Sequence, residues 1–428
     1  MSLTTSAHWM YNVGGDFYKY EIDDSLRFND NDGAYLDRTP SSAGNLKNWT
    51  WSAWVKRGNI NTSSDIHTLF SQWQFPGNYQ HRIVIRQDRL TFMLYDGGAN
   101  SHRGSKTLDM LFRDVSAWYH IVCVYDTPNA TAADRMRVYV NGERITAFGG
   151  TGAAGQPSSI NPPLNYNGYV NRAQRHTMGT FYDPDFGGAF NFNDGYMSEI
   201  NFVDGSSLDA SSFGETKDGI WIPKEYSGSY GTNGFYLDFA NSSAIGNDVS
   251  GNNNDWTPVN LAATDVVPDS PTNSFAVLQP TSFVNIGGAN SAQTLSEGNL
   301  RFTGTSNEGR GTPGTIRVTS GKYYVEAAKV AGSGPVVMDF VVNDARVADR
   351  NTSTTGGIII GAVDVDAGKY WSGLNNTWDG SGNPATGANP TGTFTPNSSF
   401  TFTGRSYNTS RTGVFNFGQD SSFAGNKT

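Results

Sequence analysis

Asp114 to Phe148 reads D-V-S-A-W-Y-H-I-V-C-V-Y-D-T, then, eight residues on, R-M-R-V-Y-V, then N-G, then E-R-I-T-A-F. The spacing predicts three strands in series. In the first, Trp118, Val122 and Val124 share one face, and Tyr119, Ile121, Cys123 and Tyr125 share the other, so both sides are apolar. A strand of that kind belongs inside a sandwich, covered on both faces. The second strand sets Met136, Val138 and Val140 against Arg135, Arg137 and Tyr139, one buried side and one wetter side. Asn141-Gly142 supplies the two positive-φ positions of a tight hairpin turn.

Working outward, the same pattern recurs at short intervals. S-L-R-F, A-Y-L-D-R, W-T-W-S-A-W-V-K, H-T-L-F-S-Q-W, R-I-V-I-R and L-T-F-M-L-Y-D precede the hairpin, and H-T-M-G-T-F, G-Y-M-S-E-I-N-F-V and G-F-Y-L-D-F follow it. Gly149 to Asn171 reads as a polar surface loop. Past Pro271, L-R-F-T-G, K-Y-Y-V-E-A-A, M-D-F-V-V, G-I-I-I-G-A-V-D-V, K-Y-W-S-G, S-F-T-F-T and T-G-V-F-N-F-G form a second strand-only unit. The expected organisation is all-β: an N-terminal arm at 1–19, a sandwich at 20–265, a linker at 266–298 and a second sandwich at 299–428. Composition agrees, with 50 Gly in 428 residues, 13% aromatic and only 16% charged residues favouring turns and strands over helices.

The net charge of −9 and the lack of any basic run argue against nucleic acid as a partner. No secretory h-region opens the chain and no run of 18 apolar residues occurs, so no membrane insertion is expected. Cys123, the single cysteine, lies in an apolar strand and reads as a small core residue. Catalytic signatures are missing. Glu21-Ile22-Asp23 begins the carboxylate pattern of laminarinase-type hydrolases, but Ser25 and Leu26 stand where the second Glu is needed.

Two oxygen-rich loops stand out. Tyr182-Asp183-Pro184-Asp185 with Asn191, Asn193 and Asp194 offers the several oxygen ligands a calcium ion takes, although Asp, Asn and Gly also dominate loops for backbone reasons. Asn247 to Asp255 departs from the EF-hand spacing, lacks its final Glu, and reads as a turn. For sugar binding, rings beside amides and carboxylates are needed, which points to Tyr182, Phe186, Asn193 and Trp256, and in the second unit to the loops around Tyr370, Trp371, Asn375 and Trp378.

The order L-R-F, W-T-W-S-A-W-V-K, A-W-Y-H-I-V-C-V-Y-D, M-R-V-Y-V-N-G and D-G-Y-M-S-E-I-N-F resembles the laminin-G and pentraxin branch of the concanavalin A-like lectins. S-G-K-Y-Y-V-E, I-I-I-G-A-V-D-V-D-A-G-K-Y-W, G-L-N-N-T-W and V-F-N-F-G resemble a SPRY domain. The opening M-S-L-T-T-S-A-H-W-M-Y-N, the phrase S-F-G-E-T-K-D-G-I-W-I-P-K-E-Y and the tandem order are similar to fibre-like and appendage proteins of marine tailed bacteriophages. These resemblances imply two tandem antiparallel sandwiches, calcium in loops at a sandwich edge, and a virion component made in a host cytoplasm without a signal peptide. They also imply a homo-oligomer, trimeric in the usual form of fibres, with host surface polysaccharide and other virion proteins as partners. A structural adaptor without glycan binding and a polysaccharide depolymerase stand as alternatives. SPRY-like domains usually run on further than nine residues past Gln419, so the resemblance also implies an incomplete terminal sheet.

Overall fold

The computed structural model describes residues 17–60, 66–74, 76–149, 158–184, 187–284, 293–304, 311–406, 410–423 and 425. The chain divides into two compact units, one spanning Asn12–Asn273 and the other Ser274–Thr428. The described residues contain strands, turns and short 3-10 segments.

The N-terminal unit is a sandwich of two eight-stranded antiparallel sheets. The first runs, edge to edge, through Glu143–Arg144, Met136–Val140, Trp118–Asp126, Asn48–Arg57, Gly195–Asp204, Ser25–Phe28 and Val266–Val267, with Phe235–Leu237 also on Gly195–Asp204. The second runs through Ser159–Ile160, Ser101–Thr107, Arg89–Asp96, Tyr79–Arg86, Ile66–Gln74, His176–Met178, Tyr35–Arg38 and Thr257–Val259. The hairpin that organises the sequence sits as its pattern dictates. Asn141 (φ 48°) and Gly142 (φ 83°) make the turn. Ile121, Cys123 and Tyr125 enter the core between the sheets, where Trp49 stacks on Tyr125 at 5.5 Å. Val122 and Val124 face outward and are buried with Val203, Ala210 and Phe213 under a second layer. That layer comes from residues 205–234 and includes the hairpin of Gly214–Lys217 and Ile220–Pro223.

The C-terminal unit pairs an eight-stranded sheet with a four-stranded one. In the larger, Lys322–Ala331 lies between Thr412–Asn416 and Ile358–Asp364, and Lys369–Leu374 and Thr377–Trp378 follow outward. The smaller is built from Thr312–Pro313, Phe400–Ser406, Val336–Val342 and Ala345–Thr352. Inside, Met338, Phe340 and Phe402 close on Gly361, where a Cβ would come within 2.9 Å of Phe402.

The stretch 266–298, which reads as a linker, carries structure over its described residues 266–284 and 293–298. Val266–Val267 pairs with Ser25–Phe28. Asp269, fully buried, takes the Lys56 ammonium at 2.7 Å and the Trp118 indole N–H at 3.1 Å. Ala276, Val277 and Leu278 are buried in the C-terminal unit, where the Gln419 side-chain amide donates to the Ala276 carbonyl at 2.7 Å. The polar loop reading of 149–171 also changes over its described end. Tyr169, Val170 and Asn171 are buried, Asn171 as a donor to the Asp204 carboxylate at 2.5 Å.

Candidate functional site

Among the described residues of the acidic aromatic loop, Asp183 and Asp194 are buried in separate surroundings. Asp183 ends the short strand Phe181–Asp183, is 2% exposed, and acts on the buried Arg82 guanidinium, which lies over the Phe181 ring at 4.2 Å. Asp194, also 2% exposed, is fixed between Gly58, whose N–H donates to its carbonyl at 3.1 Å, and the His67 imidazole. Asn193 is buried and donates its backbone N–H to Gly179, and Asn191 turns the chain at φ 56°. Asp185 and Phe186 lie outside the described residues. Among the described residues no group of three or more His, Cys, Asp or Glu side chains converges on a position that could hold a metal ion. The Asn247 to Asp255 loop is a turn closed on itself: the Asp248 carboxylate accepts from the backbone N–H groups of Tyr236, Ser250 and Asn254 and from the Ser250 hydroxyl.

The sugar-stacking rings fare no better. Trp256 is 3% exposed and packs edge-on against Phe235 at 5.0 Å, so it belongs to the core. One face of Tyr182 is covered by Arg175 at 3.7 Å, which is itself held in a fork by Asp37. In the C-terminal unit Tyr370 and Trp371 are buried, the Trp371 N–H donating to Ala388 at 2.9 Å, and Asn375 accepts from the Ile358 N–H. Trp378 alone of these four keeps a half-exposed ring.

A different cluster carries the marks of a site. Gly195–Asp204 pairs with Asn48–Arg57, and its register slips between Ser198 and Asn201. One extra residue there lets Met197, Ile200 and Phe202 all reach the core, which a regular period of two forbids. The residue at the slip is Glu199, at φ 52°, a strained conformation for a non-glycine residue. Its carboxylate accepts from the Tyr236 hydroxyl at 2.7 Å and from the Tyr20 hydroxyl at 2.9 Å, and the two hydroxyls lie 2.6 Å apart. Tyr230 lies parallel to Tyr236 at 6.2 Å and donates to Asn201 at 2.7 Å, and Tyr226 meets Tyr230 edge-on at 5.1 Å.

Burial raises the Glu199 carboxyl to about 7, against the two tyrosine hydrogen bonds that lower it, and the nearby Asp238 and Glu225 push it further up. The same burial and negative charge raise the Tyr20, Tyr230 and Tyr236 phenols. The result is a half-buried row of tyrosine rings with hydroxyl, amide and carboxylate groups at its base, which can stack on an apolar ring face and exchange hydrogen bonds with hydroxyl groups. Tyr20 follows the expected arm. Of that arm, Phe17 accepts from Lys217 at 2.7 Å, and Lys19 approaches Glu215 at 3.9 Å.

Because Glu199 is raised, it contributes stability that is present below about 4.5 and lost as the pH rises through about 7. Glu199→Gln should therefore gain on the wild type by about 3 kcal/mol between pH 4.5 and pH 8. Urea midpoints of both proteins across that range check this. Parallel profiles would contradict it.

Residues 29–185 match the family model of the concanavalin A-like lectin/glucanases superfamily, Laminin_G_3. That match lies within the N-terminal unit, whose two-sheet all-β sandwich is of the concanavalin A-like type. Among solved structures, the chain is similar to a native heptameric SAP-like pentraxin from Limulus polyphemus, at 18% identity over 44% of this chain and 78% of that one, with a TM-score of 0.29. It is similar to a candidate carbohydrate-binding protein from Bacteroides ovatus, at 14% identity over 56% of this chain and 58% of that one, TM-score 0.38. It is also similar to domains LG4-5 of the mouse laminin alpha1 chain, at 10% identity over 92% and 82%, TM-score 0.30. No curated protein matches the sequence. Among the described residues no helix is long and apolar enough to cross a membrane.

Proposed function

We propose that the chain is a virion appendage protein, of the tail-fibre or head-appendage kind, that presents a lectin-type sandwich to polysaccharide on a host surface and acts by binding. The observation that carries the glycan reading is the match of residues 29–185 to the lectin superfamily. The tyrosine row around Glu199 supports it, since rings beside hydroxyl, amide and carboxylate groups suit pyranoses. The virion reading draws on the opening M-S-L-T-T-S-A-H-W-M-Y-N and on S-F-G-E-T-K-D-G-I-W-I-P-K-E-Y, and it brings with it a homo-oligomer, a SPRY-like second unit and other virion proteins as neighbours.

The full chain should bind host cells and their extracted polysaccharide equally well in calcium and in chelator, because Asp183 faces the buried Arg82 guanidinium and, among the described residues, no three carboxylate or imidazole side chains converge. Loss of binding in chelator would restore the calcium loop. Binding to neither cells nor polysaccharide would leave a structural adaptor, and absence of the chain from purified particles by mass spectrometry would remove the virion reading.

A second reading, a depolymerase, rests on Glu199. A carboxyl at about 7 is half protonated near neutrality, as a glycosidase acid must be. Release of reducing ends from host polysaccharide, abolished by Glu199→Gln, would establish that reading.

A further inference from the structure

The C-terminal unit carries a second aromatic surface, outside the residues that the lectin superfamily matches. On Lys322–Ala331, Tyr324 and Glu326 lie two residues apart and so project from the same side of the sheet. That side is the outer one, because the alternate residues Val325 and Ala327 are buried. Glu326 stands opposite Asn416 on one neighbour and Ile360 on the other, and the row continues through Gly373 to Trp378. Gly373 has no side chain to interrupt that row; a Cβ there would come within 2.9 Å of Ile360 and 2.4 Å of the Thr377 carbonyl. Across the gap the Trp378 ring reaches Tyr324, with centroids 6.1 Å apart and planes at 73°.

The polar groups beside these rings are fixed in direction. The Tyr324 hydroxyl donates to Glu326 Oε1 at 2.7 Å, and Asn416 Nδ2 donates to Glu326 Oε2 at 3.3 Å. Asn416 cannot turn over, because its Oδ1 accepts from the backbone N–H groups of Gly418 at 2.8 Å and Asp420 at 3.1 Å. Tyr324 is nonetheless 48% exposed. A ring pair of this exposure, mounted on strands and bordered by an oriented amide and carboxylate, suits a ligand with an apolar face and hydroxyl groups round its rim. The carboxylate repels acidic ligands.

We propose that Tyr324, Trp378, Glu326 and Asn416 form a second glycan-binding surface, which stacks a neutral pyranose on the Tyr324 and Trp378 rings and takes its hydroxyls on Glu326 and Asn416. The ligand class rests on the glycan-binding reading of the chain. The surface does not depend on the Glu199 cluster.

Affinity electrophoresis of the full chain separates the two. Native gels would contain hydroxyethyl cellulose, laminarin or galactomannan, with alginate as the acidic counterpart. The wild type should be retarded by at least one neutral polysaccharide and less by alginate. Tyr324→Ala and Trp378→Ala should each weaken that binding about tenfold, the order of one aromatic contact. Tyr324→Phe, which keeps the ring, should stay within about threefold of wild type, the range of one hydrogen bond, and near-UV circular dichroism would confirm that each variant is folded. Wild-type binding in Tyr324→Ala and Trp378→Ala, with loss in Tyr230→Ala, would overturn this surface and leave the N-terminal reading standing. The reverse pattern would support this surface and count against the Glu199 cluster. A wild type that no neutral gel retards would overturn this surface, and its binding to host polysaccharide would decide the N-terminal reading separately.

Discussion

Lowering the pH from 7 to 5 is expected to cost the N-terminal unit at least about 3 kcal/mol net, with about 6 kcal/mol lost at buried imidazoles before Glu199 regains part. Three buried imidazoles cause this. His81 stacks on Phe92 at 5.4 Å inside the core, and burial lowers it, like His120 and His176, to about 3. The hydrogen bonds fix the neutral forms. The Trp221 indole N–H donates to His120 Nδ1 at 3.1 Å, and the Asn171 backbone N–H donates to His176 Nε2 at 2.9 Å, so a proton on either nitrogen would face another donor. All three folded values lie below the ordinary 6.5, so the unfolded chain binds more protons. The stability they confer is complete above about 6.5 and is lost as the pH falls toward 3. At pH 5 each group costs about 2 kcal/mol, against the 5–15 kcal/mol typical of a whole domain. Protonation of Glu199 offsets at most about 3 kcal/mol of the total. Residues 274–428 contain none of the six histidines and serve as an internal control. Urea unfolding at pH 7 and pH 5 should show the N-terminal transition moving far more than the C-terminal one. An N-terminal midpoint unchanged at pH 5 would contradict the buried, neutral imidazoles.

Asp269→Ala should destabilise the same unit by about 3–5 kcal/mol, the cost of stranding a buried charge without its partner. Lys56 and Asp269 are both fully buried and meet at 2.7 Å. Replacing both at once, with Lys56→Met and Asp269→Leu, should recover most of the loss, because the desolvation of both charges disappears together. Calorimetry of the single and double variants tests this. A single variant as stable as the wild type would mean that Asp269 is no part of the N-terminal fold.

That prediction concerns a residue in a stretch whose composition suggests a linker, and the reason is instructive. Alternation made the strand around Cys123 legible because both of its faces are covered by apolar layers. Asn141-Gly142 was legible because few other pairs take two positive φ values. Val266 to Asp269 offers only two paired strand residues, and the partners that hold Asp269, Lys56 and Trp118, lie more than 150 positions away in sequence. Ser101–Thr107 and Ala345–Thr352 are strands without a hydrophobic alternation. Ser101–Thr107 leaves room at Gly104 for Met136, and Ala345–Thr352 is a largely exposed edge strand.

The sites were harder to see than the fold. Trp256 sits in a loop rich in Asn and Asp, and nothing local announces that its ring joins Phe70 and Phe235 in the core. Tyr20, Glu199, Tyr230 and Tyr236 come from three separate segments, which only the fold gathers. One signal was present: Met197, Ile200 and Phe202 cannot share a face at a period of two, which marks a bulge at Ser198-Glu199.

The most direct measurement of the central claim is the affinity of the full chain for an array of bacterial surface polysaccharides, wild type against Tyr230→Ala and Tyr226→Ala. Wild-type binding to at least one polysaccharide, weakened about tenfold in Tyr230→Ala with the fold intact, is the predicted result. Equal binding by all three proteins, or binding by none, would contradict a glycan site at the tyrosine row.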